Sequence, residues 1–284
     1  MTESATTPRE PLVDTHTHVV SPDPDRYPLS PRELSGTWYL DAPASAEELA
    51  AAMDASGVDR AILVQAVGAY TYDNRYAADA AQADPGHFVS ACCIDAEAED
   101  ATRTLDYWIR ERGMSGIRLF ALAREGPSWL IDERTVPLWQ RASELEANVI
   151  VTILPHQLDE LETVLIRFPE TPVSLDHCAF ALAQADSAER LFQLSARSNL
   201  HLKVSTHVLD DAVAHEGSAR PLMRRLVDAF GPDRIMWGSD FCQTHDRSYA
   251  ELVQLARESF ADLDTEERSA CLAGTARRLW PGLA

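Results

Sequence analysis

The sequence has no apolar run long enough to cross a membrane, and its opening MTESATTPRE lacks the apolar segment of a secretory signal. Cysteine is sparse and unpaired. Cys92, Cys93, Cys178, Cys242 and Cys271 are odd in number and lack paired zinc-ligand spacing, which predicts a reduced, cytoplasmic setting. Positive charge is also scarce: 45 acidic against 25 basic side chains leave a formal net charge of −20. Such a surface repels nucleic acid and anionic membranes, and ARRL at Ala276 is too short a basic run to reverse that. A small anionic substrate stays open, because a few converging Arg and Lys side chains can invert the potential inside one pocket. Also missing are a G-x-G-x-x-G after the first strand-like segment, a P-loop anywhere, and a G-x-S-x-G elbow around Ser239. Dinucleotide-binding and serine-nucleophile readings lose their main support.

What is present is alternation. Eight strand-like segments can be read: LVDTHTH from Leu12, RAILVQA from Arg60, HFVSACCI from His87, SGIRLF from Ser115, NVIVTIL from Asn148, PVSLDH from Pro172, NLHLKVS from Asn199 and RIMWGSD from Arg234. Helical patterns separate most of them, several closed by Gly or a Pro-containing turn. Eight β/α repeats in 284 residues predict one α/β domain over residues 12–284, a (β/α)8 TIM barrel, preceded by a flexible arm over residues 1–11. Three polar stretches, SPDPDRYPLSPRELSG, AREGPSWLIDERTVP and THVLDDAVAHEGSA, read as loops leaving C-terminal strand ends, where barrel active sites sit.

Those ends carry the chemistry-bearing residues. His16 and His18 close the first segment, His156 follows the fifth, His177 closes the sixth and Asp240 closes the eighth. In a parallel barrel they converge on one mouth and can hold a metal or form a metal-free acid–base site. Asp240 can accept a proton from water, and His177 can polarise a carbonyl or orient that water. Asp14 shares the parity of His16 and His18 but lies deeper, as an internal hydrogen-bond partner; Asp176 faces away if its strand stays regular. Arg118 and Lys203 are the nearest basic residues, able to grip a carboxylate or to form an internal ion pair. Arg75, Gln65, Gln157 and Tyr70 complete the candidate pocket, with Asn74 as a helix cap. His207 can reach it from just past the seventh segment.

Through DTHTH, SGIRLF, ILPHQLDEL, SLDH, NLHLKVS, DRIMWGSDF and GTARRLW, the chain resembles the amidohydrolase superfamily from Leu12 to Trp280. More narrowly it resembles the amidohydrolase-related, lactonase-like branch. The resemblance implies a distorted (β/α)8 barrel and a metal set on His16, His18, His177 and Asp240, with His156 as a branch feature. It also shows a departure: the fourth segment ends without a bridging lysine or glutamate and offers Arg118. A two-metal centre is therefore not expected, while a single Zn2+ or other divalent ion and a metal-free site stay equally open.

The function this implies is opening of a carboxylated lactone or cyclic ester, with Asp240 as general base. Zn-dependent decarboxylation of an aromatic or unsaturated acid is the second reading, since the same residues serve it. A non-catalytic small-molecule-binding barrel is the third and would require Asp240 to be paired off. A homo-oligomer is compatible with this fold, although no interface is legible.

Overall fold

A computed structural model describes residues 9–31, 36–122 and 128–284. Eight parallel strands follow one another in chain order: β1 (Val13–Thr17), β2 (Arg60–Val64), β3 (Phe88–Cys93), β4 (Gly116–Phe120), β5 (Asn148–Thr152), β6 (Val173–Leu175), β7 (Leu200–Ser205) and β8 (Ile235–Gly238). Runs such as Ala61–Val64 and Val149–Val151 are apolar without alternation because both faces of these strands are covered. Thr17 bridges to Phe241, and the His18 N–H donates to the Phe241 carbonyl. The sheet thereby meets itself, and the architecture is the expected distorted barrel.

Helices pack outside. The helix Ala46–Ser56 starts with a reciprocal Ser45–Glu48 capping box and stops at Gly57, whose φ of 69° is left-handed. The helix Arg220–Phe230 buries Leu222, Met223, Leu226, Val227 and Phe230, one apolar face at helical spacing. Among the described residues no helix is long and apolar enough to cross a membrane. The five cysteines are free and buried.

A second apolar cluster fills the barrel floor, with Val13, Ile62, Val64, Ile150 and Met236 meeting Trp280 from the C-terminal end of the chain. The indole fits because β4 begins with glycine: a Cβ at Gly116 would lie 2.5 Å from the Trp280 ring. The floor is plugged, so chemistry is confined to the opposite mouth.

Three expectations change. THVLDDAVAHEGSA is not a loop. Thr206–Glu216 is helical, burying Val208, Leu209 and Ala212, and ends at Gly217, with φ 75°. Its spacing is helical but its few apolar residues disguise it. Asn74 makes no cap bond; its side chain instead bonds the backbone of Cys93 in both directions, at 2.9 and 2.7 Å. Of the expected arm, residues 1–8 lie outside the described residues, whereas Arg9 ion-pairs with Asp59 and Glu10 with Arg268.

At the bottom rim, His87 Nδ1 lies 2.7 Å from Asp84 and Nε2 3.2 Å from Asp54. Burial works against protonation, but the two carboxylates outweigh it and raise the His87 pKa. Protonation is thus favoured by folding, so this stabilisation is complete below the ordinary histidine pKa of about 6.5 and lost as pH rises through the elevated value. Urea denaturation of His87→Gln against the parent should show a larger stability deficit at pH 6 than at pH 8.5.

Candidate active site

The site is assembled where β1 meets β8. Asp14 Oδ1 accepts from the backbone N–H of His16 (3.1 Å) and of Ser239 (2.9 Å), and Oδ2 accepts from the Tyr249 hydroxyl (3.0 Å). Burial raises the Asp14 pKa to about 6 against those bonds. Thr15 Oγ1 donates to the Trp237 carbonyl at 2.6 Å, and Asp240 N donates to the His16 carbonyl at 2.8 Å. Asp14 thus serves the seam as an internal hydrogen-bond partner. Gly238 makes the approach sterically feasible: a Cβ there would stand 2.6 Å from the His16 Cβ. Two residues later Asp240 takes a left-handed φ of 62°, a conformation Asp tolerates better than most residues.

Hydrogen bonding then fixes which ring nitrogens face the mouth. His18 Nδ1 lies 2.9 Å from the Val64 carbonyl, an acceptor only, so Nδ1 carries the proton. His16 Nδ1 lies 3.1 Å from Asp176 Oδ1, and burial keeps this imidazole neutral at pH 7 by driving its pKa far down, despite Asp176. A neutral imidazole with its proton on Nδ1 turns a lone pair at Nε2 to the mouth. The two Nε2 atoms lie 3.5 Å (His16) and 3.3 Å (His18) from Asp240 Oδ1, and all three atoms are buried without a hydrogen-bond partner among the described residues. Asp240 is held well below the usual carboxylate range despite its burial, with His207 bonded to Oδ2. Three acceptors facing one another with no hydrogen between them repel unless a cation joins them.

Among the described residues two groups can hold a divalent ion: His16, His18 and Asp240, or His16, Asp176 and His177. The first has its donor atoms unspent. In the second, Asp176 already meets the Arg118 Nε and Thr152 Oγ1 through Oδ2, at 3.0 and 2.7 Å, and the His16 Nδ1 through Oδ1.

That central position of Asp176 corrects the outward orientation expected for it. Ser174 points inward to Asn148, so regular alternation also turns Asp176 inward. The backbone then leaves the strand, and His177, Cys178, Ala179 and Phe180 all adopt left-handed φ, 50–55°. This turn brings His177 back beside His16, with ring centroids 4.9 Å apart and Nδ1 2.8 Å from Ser205 Oγ. Burial lowers the His177 pKa to about 4. Lys203, wholly buried on β7, places Nζ 3.5 Å from Asp176 Oδ1.

The other candidates are more dispersed. His156 is exposed on the turn Pro155–Gln157, while Gln157 ties Leu154 N and the Ala121 carbonyl together. Gln65 donates to the Thr71 and Asp73 carbonyls, pinning the loop after β2, and the Tyr70 hydroxyl accepts from Ser21 N. Arg75 is engaged by Asp73, two residues earlier, in a partly exposed ion pair. His207, within reach of the pocket from just past the seventh segment, meets Asp240 Oδ2 at 3.1 Å. Trp38 lies beside His18, centroids 5.6 Å apart, and the half-exposed Phe180 stacks on His177 at 5.0 Å. The sequence carries one signal for the Asp176 cluster: Lys203 is the only lysine among the 25 basic side chains.

Comparison with known proteins matches residues 13–282 to the family profile described as Amidohydrolase. An L-fucono-1,5-lactonase from Burkholderia ambifaria is 29% identical over 196 residues, 66% of this chain and 66% of that protein. A Pseudomonas putida structure described as a 2-pyrone-4,6-dicarboxylic acid hydrolase is 25% identical, with a TM-score of 0.77 over 96% of this chain and 98% of its own. A Burkholderia multivorans amidohydrolase with bound zinc has a TM-score of 0.77 at 23% identity, covering 95% of this chain and 99% of its own, a likeness of fold. Hydrolases and decarboxylases both occur among the similar structures.

Closure at Gly238 is testable. Gly238→Ala forces the two strands apart, and it should cost about 1–3 kcal/mol of unfolding free energy, as overpacking does. The measurement is urea denaturation; an unchanged midpoint would mean that the seam has room to spare.

Proposed function

Because the chain belongs to the amidohydrolase family, we propose that it hydrolyses a lactone or other cyclic ester bearing a carboxylate. The observation carrying this reading is the buried trio of His16 Nε2, His18 Nε2 and Asp240 Oδ1, lone pairs aimed at one another. Its donor set suits one divalent ion such as Zn2+, held by two imidazoles and a carboxylate. When bound there, such an ion supplies Lewis-acid polarisation of an ester carbonyl. The lactone and pyrone chemistry of the two relatives supports the substrate class.

The chain's own residues supply the rest. Arg118 spends Nε on Asp176 and Thr152, while its terminal amino groups have no hydrogen-bond partner among the described residues. They are suited to a bidentate grip on a substrate carboxylate, which overcomes the repulsion of a −20 chain for an anion. His177, neutral at pH 7, offers a hydrogen-bonding group for the carbonyl. Asp240, ionised, takes a proton from water as the water oxygen bonds to the carbonyl carbon. The ring C–O bond then breaks and the proton passes to the departing oxygen. A non-catalytic barrel is disfavoured because Asp240 Oδ1 is left without a hydrogen-bond partner.

Asp240→Asn removes the base but suits the left-handed backbone, so it should lower kcat by roughly 10²–10⁴-fold while leaving the circular dichroism spectrum unchanged. Undiminished turnover by this variant would dismiss Asp240 as the base. A panel of carboxylated lactones and aromatic acids, followed for acid release and for CO2, should give ring opening without CO2. Release of CO2 with lactones untouched would move the assignment to decarboxylation.

A further inference from the structure

Asp176 lies behind the imidazoles, and its two oxygens do different work. Oδ2 is occupied by Arg118 Nε at 3.0 Å and Thr152 Oγ1 at 2.7 Å. Oδ1 faces His16 Nδ1 at 3.1 Å and Lys203 Nζ at 3.5 Å. Arg118, Asp176, His16 and Lys203 are all at least nine-tenths buried, so few waters compete for these bonds. Two cations and one carboxylate in a low-dielectric site leave Asp176 ionised. An ionised carboxylate is acceptor only. His16 must then offer it a proton.

We propose that Asp176, clamped between Arg118 and Lys203, is a positioning residue that locks His16 in the Nδ1–H tautomer and so aims the Nε2 lone pair at Asp240. This rests on reading the mouth as the reactive site, but the lock itself needs no bound ion. Lysine usage supports it. A chain that employs arginine everywhere else on its surface and in its core retains its single lysine against Asp176 Oδ1. A compact ammonium can neutralise that oxygen without the five-donor fork that would compete with the imidazole for both lone pairs. Burial pushes the Lys203 pKa down to about 8, against Asp176, so it still carries charge at pH 7. The role assigned to Arg118 divides accordingly, with Nε on Asp176 and its remaining nitrogens toward substrate.

The test is two-bond 1H–15N correlation spectroscopy on chelator-stripped protein labelled with 15N-histidine at pH 7, the His16 signals being assigned by their loss in His16→Gln. The wild-type chain should show His16 with protonated Nδ1 and unprotonated Nε2. Asp176→Asn should give the other tautomer or a mixture, and titration with Zn2+ alone should show affinity reduced roughly 10–100-fold. Thr152→Val, which removes an Oδ2 partner and an acceptor of Arg118 Nε but leaves the Oδ1 side intact, should leave the tautomer pure. An Nε2–H tautomer in the wild type overturns the proposal, and that spectrum decides even if Asp176→Asn fails to fold. So does an unchanged His16 signal in Asp176→Asn, or an equal disturbance in Thr152→Val, which would indicate general loosening. Nδ1–H His16 with no Zn2+ uptake by wild type would support the lock and dismiss the metal reading separately.

Discussion

The mouth depends on how closely β1 approaches β8. At Gly238 the two backbones come together with no space for a methyl group, and the Asp14 carboxylate and Thr15 hydroxyl complete the closure. That contact sets Asp240 Oδ1 within 3.5 Å of two imidazole nitrogens. Here the distance between two strands is also the size of the coordination space, so fold and chemistry share one constraint.

The same seam explains the electrostatic layout. Taking carboxylates and imidazoles out of water is costly unless each finds partners. Asp176 resolves this with cations on both sides, Arg118 and Lys203, and is satisfied within the protein. Asp240 does so only in part: His207 and Thr244 reach Oδ2, and Oδ1 is left facing lone pairs. One buried carboxylate is thus complete and the other is not. Incompleteness of that kind, at the open end of a barrel whose floor is plugged by Trp280, marks the place where a ligand supplies what the protein withholds.

Much of this was legible in the sequence, for a physical reason. Strand ends in a parallel barrel converge whatever the intervening helices do, so His16, His18, His177 and Asp240 could be gathered from their places in eight apolar segments. Details set by backbone conformation could not. Four consecutive left-handed residues from His177 to Phe180 carry no glycine to announce them, and without that turn the parity rule admits either Asp176 or His177 to the mouth, not both. The ion pair that engages Arg75 is local, with an aspartate two residues away. The helix Thr206–Glu216 shows its spacing only once its buried positions are known, and it brings His207 to Asp240. Lys203 was noticed as a basic residue near the mouth, but its solitude in the composition was the stronger clue to its partner.

Whether the three lone pairs meet at a cation decides what this mouth does. Equilibrium dialysis of the wild-type chain and His18→Gln against dilute Zn2+, followed by elemental analysis, tests this directly. The wild type should retain one equivalent, and the variant should hold it at least tenfold more weakly. A wild-type chain that retains none, or a variant that retains as much, would contradict the cation reading.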